Sequence, residues 1–257
     1  MDGQPKGTLM TCQNILLIDP IYNPGTVPPN VSLGRIEAAL SPMGKNIIVA
    51  DFVAPDCEDN NLEYFKQKEL AFFNEVLVKA ASADLIYISS GHGNELKPYP
   101  MWPRIQRIAQ LVKQRYPNRK IIVGGALVNL YKKSYNLSND MLSGGWIDCL
   151  VEGHENNAIP ILGGRYSKVF DTGLSWDAWD IGKYPKFRSL MYHVGCQYRC
   201  DFCFEGKIFD KMANKESSEI LLQTIEKAKS RDGISKFVIE DSTFMSYPDV
   251  YNILECL

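Results

Sequence analysis

Seven cysteines are unevenly placed along the 257 residues: Cys12, Cys57, Cys149 and Cys256 are scattered, whereas Cys196, Cys200 and Cys203 fall within eight residues. An odd number with one tight group points to metal rather than to a disulfide framework. The group reads Gly195-Cys196-Gln197-Tyr198-Arg199-Cys200-Asp201-Phe202-Cys203, a C-x3-C-x2-C spacing. Three thiolates on one loop can hold three irons of a cubane iron–sulfur cluster and leave the fourth iron without a protein ligand, open to a substrate or cofactor. A zinc site is the alternative reading. Closed zinc sites want four ligands, and the nearest spare, His193, lies on the run preceding the loop.

Elements on both sides must position such a loop. The strand-like run Ser189–Val194 leads into it. Beyond it the pattern predicts a helix at about 216–231, with Ile220, Leu221, Thr224, Ile225 and Ala228 on one side, a strand at 236–240 and a helix starting near Pro248. Upstream, short apolar runs at 14–18, 46–52, 84–90, 120–124 and 148–151 read as strands, with helices beginning near Val31 and at about 61–82, 101–116 and 156–163. In the helix near 105, Ile105, Ile108, Ala109 and Val112 form one apolar face. Continuous apolar strands alternating with amphipathic helices imply a parallel sheet covered on both faces. The expected fold is therefore α/β, a flavodoxin-like (Rossmann-type) doubly wound domain over 1–165. A linker that packs across the domain junction follows over 166–186, where the alternation is lost, and then a second unit over 187–257.

Doubly wound sheets bind ligands beyond the carboxyl ends of their strands, here the loops after Asp19, Ser90 and Gly124. Ser90, Gly91 and His92, and the pair Gly124-Gly125, would let backbone approach a ligand, or they are merely tight turns between strand and helix. No G-x-G-x-x-G opens the first helix and no G-x-x-x-x-G-K-[ST] occurs, which weakens the common nucleotide readings.

Composition bounds the rest. With 45% apolar and 23% charged residues, and 28 Lys+Arg against 30 Asp+Glu, the chain is that of a soluble globular protein. It carries no basic block for nucleic acid or an anionic membrane surface. The longest apolar stretch, Ile121–Leu130, is short and broken by Gly124 and Gly125, so no membrane span is expected. The start, MDGQPKGTLMTCQN, has neither signal-peptide nor transit-peptide character, and the expected location is cytoplasmic.

The chain resembles the cobalamin-binding radical S-adenosylmethionine (radical SAM) enzymes. The likeness rests on GCQYRCDFC, with Phe202 before the last cysteine, and on NILLIDP, the Pro28-Pro29 to Leu33-Gly34 segment, ADLIYISS, KIIVGGA and IDCLVEGHEN, in order over about residues 13–257. It implies that 187–257 begins a (β/α) partial TIM barrel and that Cys196, Cys200 and Cys203 hold a 4Fe-4S cluster. In the family the open iron chelates S-adenosylmethionine, which reductive cleavage converts to methionine and a deoxyadenosyl radical, and cobalamin commonly donates a methyl group. The resemblance further implies S-adenosylmethionine contacts at Phe202, Glu240 and Asp241, and cobalamin contacts at Ser90, Gly91, His92, Gly124 and Gly125. Glu240 and Asp241 read equally well as a solvated acidic pair at a strand end. The implied activity is a transferase of methyltransferase type, acting on a small-molecule or peptide substrate. Electrons would come from a donor such as flavodoxin or ferredoxin.

Departures accompany the likeness. The Asp-x-His-x-x-Gly cobalamin motif is absent, since Pro20 and Ile21 follow Asp19, and Val194 stands where family members often have Arg. A six-unit partial barrel needs about 180 residues at roughly 30 per unit. Residues 187–257 supply only 71. The barrel is thus expected to stop after two units, as a fragment, a truncated gene product, or one half completed by a second chain. The alternative to an enzyme is a noncatalytic cobalamin- or cluster-binding module or partner subunit.

Overall fold

The computed structural model describes residues 12–23, 28–54, 61–90, 101–129, 142, 144–153, 155–164, 172–184, 186–196, 198, 200–201, 203, 214–215, 217–241 and 250–256. Its first part alternates β1 (Asn14–Asn23), α1 (Val31–Leu40), β2 (Asn46–Val53), α2 (Leu62–Ala80), β3 (Leu85–Ser89), α3 (Met101–Arg115), β4 (Lys120–Gly124), β5 (Cys149–Val151) and α4 (Glu155–Ile161). The five strands form one parallel sheet in the order β2-β1-β3-β4-β5, the doubly wound arrangement that the strand–helix alternation predicts. Order reverses at β1, so the crevice between the carboxyl ends of β1 and β3 is the switch point.

Strand alternation divides β1 between two cores. Ile15 and Leu17 join α1 on one face, and Leu16 and Ile18 join α2 and α3 on the other. On the second face Phe52 stacks on Phe72 with ring centroids 5.0 Å apart. Arg104 of α3 lies over Phe52 and Phe65 and donates to the Pro20 carbonyl at 2.9 Å, fixing the chain as it leaves β1. β1 is longer than the apolar run at 14–18 suggests. Its register with β2 shifts between Asp19 and Asn23, around a proline that has no N–H for a ladder, and pairing resumes at Asn23 and Val53.

The second part contains β6 (Phe187–Leu190), β7 (His193–Val194), β8 (Asn214–Lys215), α5 (Ser218–Asp232), β9 (Lys236–Ile239) and α6 (Val250–Cys256). β6 and β9 pair in parallel, as two strands joined across a helix must, and β7 pairs antiparallel with β8. Ser217 caps α5 through a bond from Ile220 N, and Gly233 ends it at φ +64. The expected single strand Ser189–Val194 is two, because the chain turns at Met191 and Tyr192.

Residues 172–184 pack between the two parts. Leu174, Trp176, Trp179 and Tyr184 are buried in one cluster with Leu33, Ile36 and Leu40 of α1 and with Leu190, Tyr192, Leu221, Ile225 and Ile253 of the second part. Ser175 N donates to the Gly34 carbonyl at 3.0 Å. A Cβ on Gly34 would lie 3.0 Å from both the Ser175 carbonyl oxygen and Trp176 Nε1. Gly34→Ala is therefore expected to push this segment off α1 and to cost about 1–3 kcal/mol. The check is the urea midpoint, and an unchanged midpoint would show that the close approach is not needed.

Candidate functional site

Two groups of chemically capable residues stand at the carboxyl ends of the two parallel sheets. The first lies at the end of the five-stranded sheet. Asn30, the cap of α1, accepts from Leu33 N at 3.2 Å through Oδ1 and donates through Nδ2 to Ser89 Oγ at 3.5 Å, bridging the β1/β3 crevice. Ser90 is wholly buried. Its N–H donates to the Gly124 carbonyl at 2.6 Å, and its Oγ accepts from Val128 N at 3.4 Å. The structure thus brings Ser90 and Gly124 together as partners of one another. A Cβ on Gly124 would sit 2.4 Å from the Tyr87 hydroxyl, so a packing demand accounts for that glycine, while Gly125 carries a φ of +116. Gly91 and His92 lie outside the described residues.

Sequence patterning placed Asp19 at a strand end without giving it a role, and it missed Asp51. Asp19 and Asp51 face each other in register on β1 and β2, and both are buried. Burial pushes the Asp19 carboxyl up to about 7, against hydrogen bonds from Ile21 N and Asn30 and helped by the neighbouring Asp51. Burial also raises Asp51, while the Tyr184 hydroxyl donates to Asp51 Oδ2 and opposes that rise. Lys183 Nζ stands 3.8 Å from Asp51 Oδ1. An Asp following each of two apolar strand runs was the available signal, visible only once the strands are known to be neighbours.

The second group is the cysteine loop. Gly195, at φ +94, turns the chain out of β7. Tyr198 N donates to Cys196 Sγ at 3.4 Å, and Cys203 N donates to the Cys200 carbonyl at 3.0 Å. Cys200 is exposed, Cys196 and Cys203 are half-buried, and all three are free thiols. Among the described residues, no three His, Cys, Asp or Glu side chains are gathered to hold a metal ion. The donor set itself fits an iron–sulfur cluster: three accessible thiols on one loop, with a backbone N–H already directed at one sulfur. Phe202 lies outside the described residues.

At the end of β9 the two acids part company. Glu240 is exposed and accepts from Ser189 Oγ. The Asp241 carboxylate is fully buried, accepts from Tyr192 N at 2.9 Å and His193 N at 3.1 Å, and lies 3.2 Å from His193 Nδ1. The solvated acidic pair is thereby corrected for Asp241. His193 is buried with Nδ1 on this carboxylate, and it is not gathered with the cysteines as a fourth metal ligand.

No protein-family model matches the chain, and no curated protein matches it in sequence. Solved structures do match its fold. One is the radical S-adenosylmethionine methyltransferase TsrM from Kitasatospora setae with tryptophan substrate and a SAM analog bound, at TM-score 0.61 and 14% identity over 95% of this chain and 50% of that one. Another is TsrM with cobalamin and a [4Fe-4S] cluster bound, at TM-score 0.61 and 15% identity over 95% of this chain and 52% of that one. At these identities the likeness is one of fold, and the chain spans about half the length of the structures it matches. No helix among the described residues is long and apolar enough to cross a membrane.

The buried Asp19 yields a pH prediction. Its folded pKa of about 7 lies above the roughly 3.9 of an unfolded Asp, so between these values the folded state holds the extra proton. Stability from this group is full below about pH 4 and is lost as pH rises through about 7. Asp19→Asn is expected to remove that slope and to be more stable than the wild type by roughly 1–3 kcal/mol at about pH 8. Denaturant melts across that range check it, and parallel stability curves for the two proteins would contradict it.

Proposed function

We propose that the chain is a cobalamin-binding radical S-adenosylmethionine enzyme, carrying out C-methylation or related radical chemistry on a small-molecule or peptide substrate. One observation carries the reading: the C-x3-C-x2-C cysteines follow the carboxyl end of a parallel strand pair that shares a core with a doubly wound sheet. The solved neighbours have this overall fold and hold cobalamin, a [4Fe-4S] cluster and a SAM analog.

Cys196, Cys200 and Cys203 would hold the cluster. When bound, the cluster supplies an electron to the sulfonium of S-adenosylmethionine, and cobalamin supplies a methyl carrier. The chain's own residues bind and orient. Tyr198 N–H places a donor on the Cys196 sulfur, where it disperses thiolate charge. Glu240 offers an exposed carboxylate at the end of β9 for the amino group of S-adenosylmethionine, with Phe202 beside the last cysteine. The β1/β3 crevice and the loops of Ser90, Gly91, His92, Gly124 and Gly125 are the place for the corrin. An external electron donor such as flavodoxin or ferredoxin follows from the same reading.

A second reading has a specific observation in its favour. It is a noncatalytic module that holds cobalamin or a cluster for another protein: among the described residues the barrel-like sheet has two parallel strands, β6 and β9, whose edges further strands would cover.

After anaerobic reconstitution with iron and sulfide and incubation with hydroxocobalamin, the full chain is expected to hold about four irons, about four acid-labile sulfides and cobalt. Cys196→Ala, Cys200→Ala and Cys203→Ala should each lose most of the iron, and Cys12→Ala should keep it. Deoxyadenosine formed from S-adenosylmethionine under reduction marks the enzyme, and retained cofactors without it mark the module. Equal iron in all four variants would overturn the cluster assignment.

A further inference from the structure

Chain direction changes abruptly between the end of β6 and the cysteine loop. β6 and β9 are in register as far as Leu190 and Ile239, and Glu240 N extends the ladder by donating to the Leu190 carbonyl at 2.8 Å. There the ladder stops, while the backbone is still buried: Met191, Tyr192 and His193 are all inside. Buried N–H groups without acceptors are costly, so something must replace the strand that has ended. Asp241 does so. Its carboxylate takes the consecutive N–H groups of Tyr192 and His193, and His193 brings Nδ1 back to the same Oδ2 that accepts its own N–H.

We propose that Asp241 is a positioning residue for the metal loop: it clamps the Tyr192-His193 turn from across the strand pair and so fixes where the loop begins, three residues before Cys196. Three features support this. The carboxylate and the imidazole are almost entirely excluded from solvent, at 0% and 1% exposure, so neither is free to contact a ligand while the clamp is made. The imidazole ring meets Tyr192 edge-on with centroids 4.2 Å apart, which holds the ring against the turn it is bonded to. Two steps beyond His193 the backbone of Gly195 sits at φ +94, a conformation that L side chains rarely adopt, so the direction set at His193 is handed to the cysteines by a fixed bend. Asp241 and Glu240 then divide the work at one strand end, Asp241 holding the loop from inside and Glu240 facing out. The part of this proposal that concerns cluster properties rests on the function proposed above, while the clamp itself does not.

The test compares the wild type with Asp241→Asn, which keeps the shape and loses an acceptor, and with Glu240→Gln. The first readout is amide hydrogen exchange of the full chain without cofactors. Asp241→Asn is expected to speed exchange of the Tyr192 and His193 amides by about tenfold or more, with β1 and β3 amides unchanged, and Glu240→Gln to leave both sets alone. The second readout is the electron paramagnetic resonance of the reconstituted, reduced chain, where Asp241→Asn should shift the g values at equal iron content. If the wild type binds no iron but the exchange effect is seen, the cluster reading fails and the clamp stands. Unchanged exchange and unchanged g values, with weaker binding of S-adenosylmethionine alone, would make Asp241 a direct ligand and overturn the clamp. Should Asp241→Asn not fold, the wild type decides: protection of the Tyr192 and His193 amides by about a hundredfold or more supports the clamp, and free exchange overturns it.

Discussion

Helix α1 is buried on every side, and it carries two charged residues. Of its ten residues only Ser32 escapes burial, yet Arg35 and Glu37 lie in its middle. A helix in that position must find polar partners for both, since an unpaired buried charge is not tolerated. The partners come from far along the chain. Ser175 Oγ and Ala178 N donate to Glu37 Oε1 at 3.0 and 2.9 Å, and Arg35 donates to the Met191 carbonyl. The segment 175–191 therefore completes the first sheet's outer layer at the same time as it starts the second sheet. The two parallel sheets share one continuous core, and the polar partners of Arg35 and Glu37 are drawn from the segment that joins them.

That constraint ties two distant loops to one framework. Met191, whose carbonyl answers Arg35, directly precedes the Tyr192-His193 turn that Asp241 holds. The position of the cysteine loop is thus tied through two residues to α1, whose own cap, Asn30, bridges the β1/β3 crevice. Tyr184, reaching Asp51 at the end of β2, adds a further tie between the connecting segment and the sheet edge. A link of this kind between a sheet-edge crevice and a thiol loop is what the proposed two-cofactor reaction would demand.

Local and periodic features were legible in the sequence. The five strand runs, the apolar face of α3 at Ile105, Ile108, Ala109 and Val112, and the cysteine spacing are all written within short windows, and the doubly wound order follows from the alternation. What was not legible is everything made by residues far apart in the chain. Arg35 and Glu37 look like an exposed patch of a helix until residues 138 to 156 positions later are seen to cover them. The break at Met191-Tyr192 could not be read from an apolar run that continues through it, because Asp241, which accepts the N–H groups of the turn, lies 48 and 49 positions away. Gly124 shows a different limit: its type was visible, but Tyr87, which forbids a side chain there, sits on another strand.

The proposed function turns on a 4Fe-4S cluster held by Cys196, Cys200 and Cys203 with one iron open to S-adenosylmethionine. The most direct measurement is the electron paramagnetic resonance spectrum of the reconstituted, reduced full chain, recorded with and without S-adenosylmethionine. A 4Fe-4S signal whose g values change when S-adenosylmethionine is added is the expected result. A cluster signal that is identical in both spectra would contradict it, because the fourth iron would then be closed.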